Sequence, residues 1–546
     1  MNLRSFGAFA LAGCIVVYAA VWPTDGGSAQ RGPRQRDDTS DGTETASNWY
    51  AFAGDSLRDG WEKNERRFSK DDVRDFRLLF EHYIGNTQTG VGAVFPPVVL
   101  GKLPDEPGFT ERAFVAGSRN GLWVIDAEID KPYWEKHLDP DNASRSRKKR
   151  KPVHGCDADL TAAPALPGPA VFHSPSIGRP RVTAVRFGEP RPVYLLTGDG
   201  LLRQLNQADG TEPVRPRQFV PGGVAAKPLN VSEDVLYTAT RAGCGQEPAV
   251  WRMDAADPEA KPKFVRLGAE VVGTTGVALD ADGRAFVQTE DGPFDPARGK
   301  YGDSLVELDQ NLAVSHYFVL PNAPEKKSHS VGMNETSPLV FTFHGTELVV
   351  SAAKDGRLYV LRASDFGTED HHRYISQSIV IPAMDGERAH GIWGNLASWQ
   401  DLDGARYVLA TVWGPLSSDL LAAVPDTKAP NGCIVAFKVE EDANGAAQLK
   451  PAWISHNLNT PTPPVIAKGV VFALDNGRFY HPDNDAVPHK KTHATLFAFD
   501  GLTGRQIYST GDQVKQPGNL TGLTVANGRV YFLTTDNTLE VFGKKM

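Results

Sequence analysis

Cysteine is scarce in this chain, four in 546 residues, and no two are adjacent or spaced C-x-x-C. A thiolate metal centre, a dithiol redox site and a C-x-x-C-H haem attachment all need that spacing, so the sequence offers none of them. Also missing are a glycine-rich phosphate loop, a nucleophile elbow and a dinucleotide-binding glycine fingerprint after a strand. Beyond Trp22 no apolar run is long enough to span a bilayer. Neither sign of charge dominates: 58 Lys and Arg against 66 Asp and Glu leave a formal charge of −8, which argues against nucleic acid as the main partner. No Pro/Ser-rich linker divides the chain, although its length far exceeds one ordinary domain.

What the chain has is repetition. An apolar β run, a turn built on Gly or Asp and a second β run recur from Ala113, Val193, Val235, Ala285, Leu348, Tyr407, Val470 and Val530. A repeat of roughly 60 residues with two or more strands per copy marks a β-propeller, whose blades bury their faces only by stacking around an axis. The expected fold is all-β, an eight-bladed propeller over residues 48–546. The segment from Asn48 to His82 precedes the first full repeat, and the last repeat ends soon after its second run. The N-terminal segment is therefore expected to add a strand to the last blade and close the ring. Within it, Ser69-Lys70-Asp71-Asp72 predicts a short capped helical turn. Insertions at Leu320–Asn334, Pro415–Asn431 and Arg478–His493 are places for binding loops.

Arg4, the apolar stretch Phe6–Trp22 and the small residues up to Ala29 read as a signal peptide, residues 1–29, with Gly27 and Ala29 at −3 and −1. Two other readings stand beside it. Leu11–Cys14 (LAGC) resembles a lipoprotein box that would anchor the chain through Cys14, although the apolar run continues past that cysteine. The stretch could also remain as an uncleaved anchor. Cleavage leaves a disordered linker, 30–47, before the propeller, and a periplasmic or secreted monomer. In an oxidising compartment Cys156 and Cys244 are the preferred disulfide pair, each in a Gly-flanked loop of neighbouring blades. Cys433 reads as a buried small hydrophobe. The basic run Arg145–Lys151 (RSRKKRK) is either a solvated loop or a contact for anionic headgroups or an acidic partner.

Over Trp49–Gly543 the chain resembles the pyrroloquinoline-quinone (PQQ) repeat propellers of quinoprotein dehydrogenases. Its opening, WYAFAGDSLRDGWEKNERRFSKDDVRDFRLLF, is similar to that family's N-terminal pattern. The blade-closing tag A-x-D-x-x-T-G-x-x-x-W appears as Ala498–Tyr508, with Tyr508 in the tryptophan place, and as Ile125–Trp134. The resemblance implies docking of these aromatic residues on the next blade, and PQQ held on the axis with Ca²⁺ or a lanthanide. It places Asp291, in Thr289-Glu290-Asp291-Gly292, at a metal-ligand position, and Lys354, in Lys354-Asp355-Gly356, at a quinone-contacting position. Three features depart from the family. The adjacent cysteine pair is missing. The stretch expected to carry the catalytic aspartate reads LPNAPEKKSHSVGMN (320–334), where Glu325 is the nearest carboxylate. No fused haem domain offers an electron exit.

Other residues stand out by type. Trp393, between Gly391 and Gly394 and beside His390, could floor a ring-shaped ligand site; Trp399 and Trp413 lie near it in sequence, and core packing is the competing role for each. Asp295, in the segment GPFDPARGKYGD, is a second cation-ligand candidate, and turn chemistry alone would also account for it. His371, His372, His481, His489 and His493 fit no metal box and read as loop histidines. Two functions follow. One is an exported scaffold of the cell envelope that binds a protein, glycan or small molecule, resembling in architecture the envelope lipoprotein that has PQQ-like repeats without PQQ. The other is a periplasmic PQQ- and Ca²⁺-dependent oxidoreductase acting on an alcohol or sugar.

Overall fold

A computed structural model describes residues 47–90, 92–101, 111–138, 162–167, 192–319, 334–367, 370–384, 390–425, 427–477 and 492–545, and the backbone of the hairpin strands Val171–His173 and Pro180–Val182. Signal peptide, linker up to residue 46, Cys14, Cys156, Glu325, His481, His489 and the basic run fall outside these residues; Ser47, expected to end the disordered linker, is instead buried, its N–H on Asn527 Oδ1 of blade eight at 3.1 Å.

Each predicted repeat forms one antiparallel sheet, and the eight sheets follow one another in chain order as blades one to eight. The middle strands are apolar on both faces because each face packs on a neighbouring blade. Arg112–Gly117 and Gly121–Asp126 in blade one are buried at every position, as is Arg406–Trp413 in blade six. Outer strands such as Lys131–His137 alternate toward solvent. Asp residues shape the turns between strands. Asp500 Oδ1, for example, accepts the Leu502 and Thr503 amides at 2.9 and 3.1 Å.

The ring closes as expected. Arg77–Tyr83 forms the outermost strand of blade eight, antiparallel to Thr538–Gly543. The turn before it is a 3₁₀ helix, Asp72–Asp75, entered through a Ser69–Asp72 exchange: the Ser69 hydroxyl donates to Asp72 Oδ2 at 2.7 Å. At the seam, Glu111 of blade one binds Arg529 and Tyr531 of blade eight.

The chain before this strand does more than the sequence foretold. Residues 49–65 run from blade to blade as a collar. Trp49 pairs with Val99 of blade one (2.8 and 2.9 Å), and Tyr50 accepts Leu166 N of blade two (2.7 Å). Ser56 O takes Asn230 Nδ2 of blade three (2.9 Å) and Leu279 N of blade four (3.1 Å). Asp59 O accepts Ser398 N of blade six, and Gly60 O accepts Ile466 N of blade seven, both at 2.8 Å. Trp61–Glu62 then pairs parallel with Ile466–Ala467, and Glu65 accepts Gly528 N of blade eight at 2.8 Å.

Tryptophans lock blade to blade. Trp134 of blade one donates its indole N–H to Gln207 O of blade two at 3.2 Å and lies on Gly210. Trp453 of blade six repeats the contact on blade seven: its N–H meets Gly501 O at 2.8 Å and its ring lies on Gly504. Tyr508, in the tryptophan place, packs on Phe76 at 6.2 Å. Gly504 has φ 68°, and a Cβ there would come within 2.6 Å of the Trp453 ring. Gly504→Ala is therefore expected to lower stability by about 2–3 kcal/mol, read from urea unfolding, because it adds left-handed strain and lifts the indole off its seat.

Candidate functional site

The site is made by two neighbouring blades. Between the middle strands of blade four, Ala285–Gln288 and Ser304–Leu308, the chain makes an excursion carrying a small hairpin, Phe294–Asp295 against Lys300–Tyr301. Its neck is narrow. Gly292 and Gly302 lie backbone to backbone with no room for a Cβ on Gly302. Thr289 ties the neck, its hydroxyl donating to Tyr301 O at 2.5 Å and accepting Ser304 N at 2.9 Å. Asp291 and Asp303, flanking the two glycines, are thereby brought to a common partner.

That partner is Lys354. The turn after Thr346–Ala353 of blade five, closed at Gly356 with φ 76°, delivers a lysine side chain only 5 % exposed whose ammonium meets both carboxylates. The blades are fastened just behind it: Gln288 donates to Ala352 O at 2.9 Å, and Ser351 donates to Gln288 Oε1. Tyr359 donates to Asp355 at 2.8 Å on the same turn. Burial pushes the Lys354 ammonium down, to about 8, and the two carboxylates supply the counter-charge that makes a buried cation tolerable. A cavity of about 30 Å³ beside it is lined by Gln288, Asp303, Phe318, Ser351 and Tyr359, room for water and little more.

The other expected residues divide. Trp393 and Trp413 stack at 4.4 Å and 19°, and Trp413 is buried with its N–H on Pro461 O at 2.8 Å. One face of Trp393 is thus already covered. His390 packs against Gly414, whose φ of 80° and closeness leave no room for a side chain there. Neither Trp393 nor His390 lines the Lys354 cavity. Trp399 is not part of this pair; it stacks on Tyr407 at 5.2 Å in the core between blades six and seven. Asp295 sits out on the hairpin and pairs with Arg298 at 3.3 Å. His371 stacks on Tyr317 at 3.7 Å, and His372 bonds Val319 O. Asp303 was not foreseen, although Gly302-Asp303 mirrors Asp291-Gly292 across the excursion. Cys433 is free and buried, and Cys244 is disulfide-bonded; its expected partner, Cys156, lies outside the described residues.

These residues do not fit a quinone–metal pair. A lysine ammonium holds the position between Asp291 and Asp303, and among the described residues no three His, Cys, Asp or Glu side chains are grouped to hold a metal. Where the collar meets blades one, four, six, seven and eight, a cavity of about 20 Å³ lies among Phe52, Pro96, Thr274, Asn395, Pro463 and Thr521. That volume suits about one water.

The architecture defines an eight-bladed β-propeller of the quinoprotein-dehydrogenase fold. The chain is similar to the quinohemoprotein alcohol dehydrogenase of Comamonas testosteroni (TM-score 0.50, 14 % identity, 91 % of this chain and 80 % of that one). It is also similar to a europium-containing methanol dehydrogenase (0.51, 14 %, 91 % and 89 %) and to a quinohemoprotein alcohol dehydrogenase of Pseudomonas putida HK5 (0.53, 11 %, 91 % and 80 %). At such identities the likeness is one of fold. No protein family and no curated protein matches the sequence. Among the described residues no helix is long and apolar enough to cross a membrane.

Proposed function

We propose that this chain is an exported binding propeller of the cell envelope, without quinone–metal dehydrogenase chemistry. The observation that carries the reading is the Lys354 ammonium closed between Asp291 and Asp303. A lysine so held has its charge already neutralised and is not free to stabilise a developing oxyanion. The disulfide at Cys244 supports an oxidising compartment, and a rigid ring with loops inserted between strands suits the display of a binding face to an envelope protein, glycan or small molecule. The fold shared with alcohol and methanol dehydrogenases favours the second reading, a periplasmic PQQ- and Ca²⁺-dependent oxidoreductase of an alcohol or sugar.

Calorimetric titration of the mature protein with PQQ, with and without Ca²⁺, separates the two. No heat and no thermal shift are expected. Micromolar, Ca²⁺-dependent binding that Lys354→Ala abolishes would overturn the binding reading.

A further inference from the structure

We infer that Glu540 is a proton-held latch for the strand that closes the ring: while it carries a proton, Arg77–Tyr83 stays clasped to blade eight, and its ionisation on the alkaline side frees that strand. The inference does not rest on the binding reading.

Glu540, on Thr538–Gly543, stands directly across from Glu81, on Arg77–Tyr83. Residues so paired put their side chains on one face, so two acids share one place in the strand pair on which closure depends. Phe532 is in register with Glu540 on the inner side. This face looks toward blade seven, because Tyr531 and His82, each one residue on, reach Glu111 and Asp130 of blade one. The apolar cluster that holds Phe532 and Phe542 draws Leu496 and Val514 from blade seven, together with Tyr508, whose phenol burial pushes up to about 12. Glu540 is 3 % exposed, and its Oε2 is buried with no hydrogen-bond partner among the described residues. The charged groups that act on it there are Glu81 and Asp536, both acids.

A carboxylate in that place costs far more than the neutral acid. Burial first, then Glu81 and Asp536, push the Glu540 carboxyl up to about 8. Arg77–Tyr83 is the outermost strand of blade eight, so lifting it admits water and returns the carboxyl to the ordinary range, near ~4.3. The clasped form therefore holds a proton that the lifted form releases. Its advantage is complete below about pH 4.3 and is lost as pH rises through about 8, opening becoming about ten-fold more frequent per pH unit between the two. Both ends of the strand are tied independently of that proton: Lys544 pairs with Asp72 ahead of it, and Ile84 N donates to Asn537 O at 2.9 Å behind it. Opening is thereby kept local.

The test is amide exchange of Arg77–Tyr83 in the full chain, expressed as protection relative to the free-peptide rate at each pH. Wild type is expected to lose protection about ten-fold per unit between about pH 6 and about pH 8, and to level off above that. Glu540→Gln keeps the shape of the protonated acid and should hold its protection throughout. Glu81→Gln removes a like charge and should bring the levelling-off to lower pH. His82→Gln and Glu111→Gln, which alter the other face of the sheet, should leave the fall in place. Protection in wild type that does not change with pH overturns the inference. So does a fall that survives Glu540→Gln, or one that His82→Gln or Glu111→Gln removes.

Discussion

Glu111→Ala is expected to cost about 3–5 kcal/mol of stability, read as a lower urea midpoint with an unchanged slope. Glu111 is buried at the start of blade one, and its oxygens take the Arg529 guanidinium and the Tyr531 hydroxyl, both from blade eight. Above about pH 7, where Glu111 is ionised, truncation leaves the Arg529 charge buried without its counter-ion at the junction where the first blade meets the last. Adding Arg529→Met should recover part of the loss, because the stranded charge goes too; a double variant no better than the sum of its parts would refute the pairing argument. The seam also carries a pH signature. Burial pushes the Glu111 carboxyl up to about 7, against the opposing pull of Arg529 and Tyr531. The folded ring then holds a proton that the unfolded chain releases near pH ~4.3. Glu111 therefore makes stability fall as pH rises from about 4.5 through about 7, and Glu111→Gln should flatten that slope.

Arg58→Ala is expected to destabilise by about 3 kcal/mol or more and to loosen the collar. Arg58 is wholly buried at φ 61°, with its guanidinium on Phe52 O at 2.5 Å, Pro228 O at 3.2 Å and Leu229 O at 2.8 Å. Burial lowers it to about 9 against the attraction of Asp55, so three carbonyls compensate a costly desolvation. Alanine strands them and leaves a void beside the inner strand of blade three. Amide exchange over residues 49–62 should quicken well before global unfolding, and Arg58→Lys should not restore it, since one ammonium cannot fork to three carbonyls. Unchanged exchange in the alanine variant would show that the backbone bonds alone hold the collar.

The repeat pattern was legible because every blade solves the same problem with the same local chemistry: two-sided apolar strands, Asp-led turns and glycines where a turn goes left-handed. Blade count and closure of the ring by a strand from the N-terminal segment could be read from the sequence. Cys433 as a buried thiol was equally local. Lys354 and Asp291 could be singled out by pattern, but their contact could not, because 63 residues and a blade boundary separate them. Asp303 stayed hidden for the same reason; its role comes from two glycines meeting across the neck of an excursion. The tryptophans of blade six show the limit most plainly. Trp393, Trp399 and Trp413 are close in sequence, yet position along the strand Arg406–Trp413 separates them: Trp399 stacks on Tyr407 near its start, in the core with blade seven, and Trp393 stacks on Trp413 at its end.

By itself, then, the sequence determined the class of fold and the number of blades, since strand periodicity and turn chemistry act over a few residues. Tertiary structure alone decided that residues 49–65 form a collar touching blade after blade, that Glu111 clasps the seam, and that Lys354 lies between two acids. Those outcomes depend on which backbone groups closure of the ring leaves facing one another, and no local pattern encodes that.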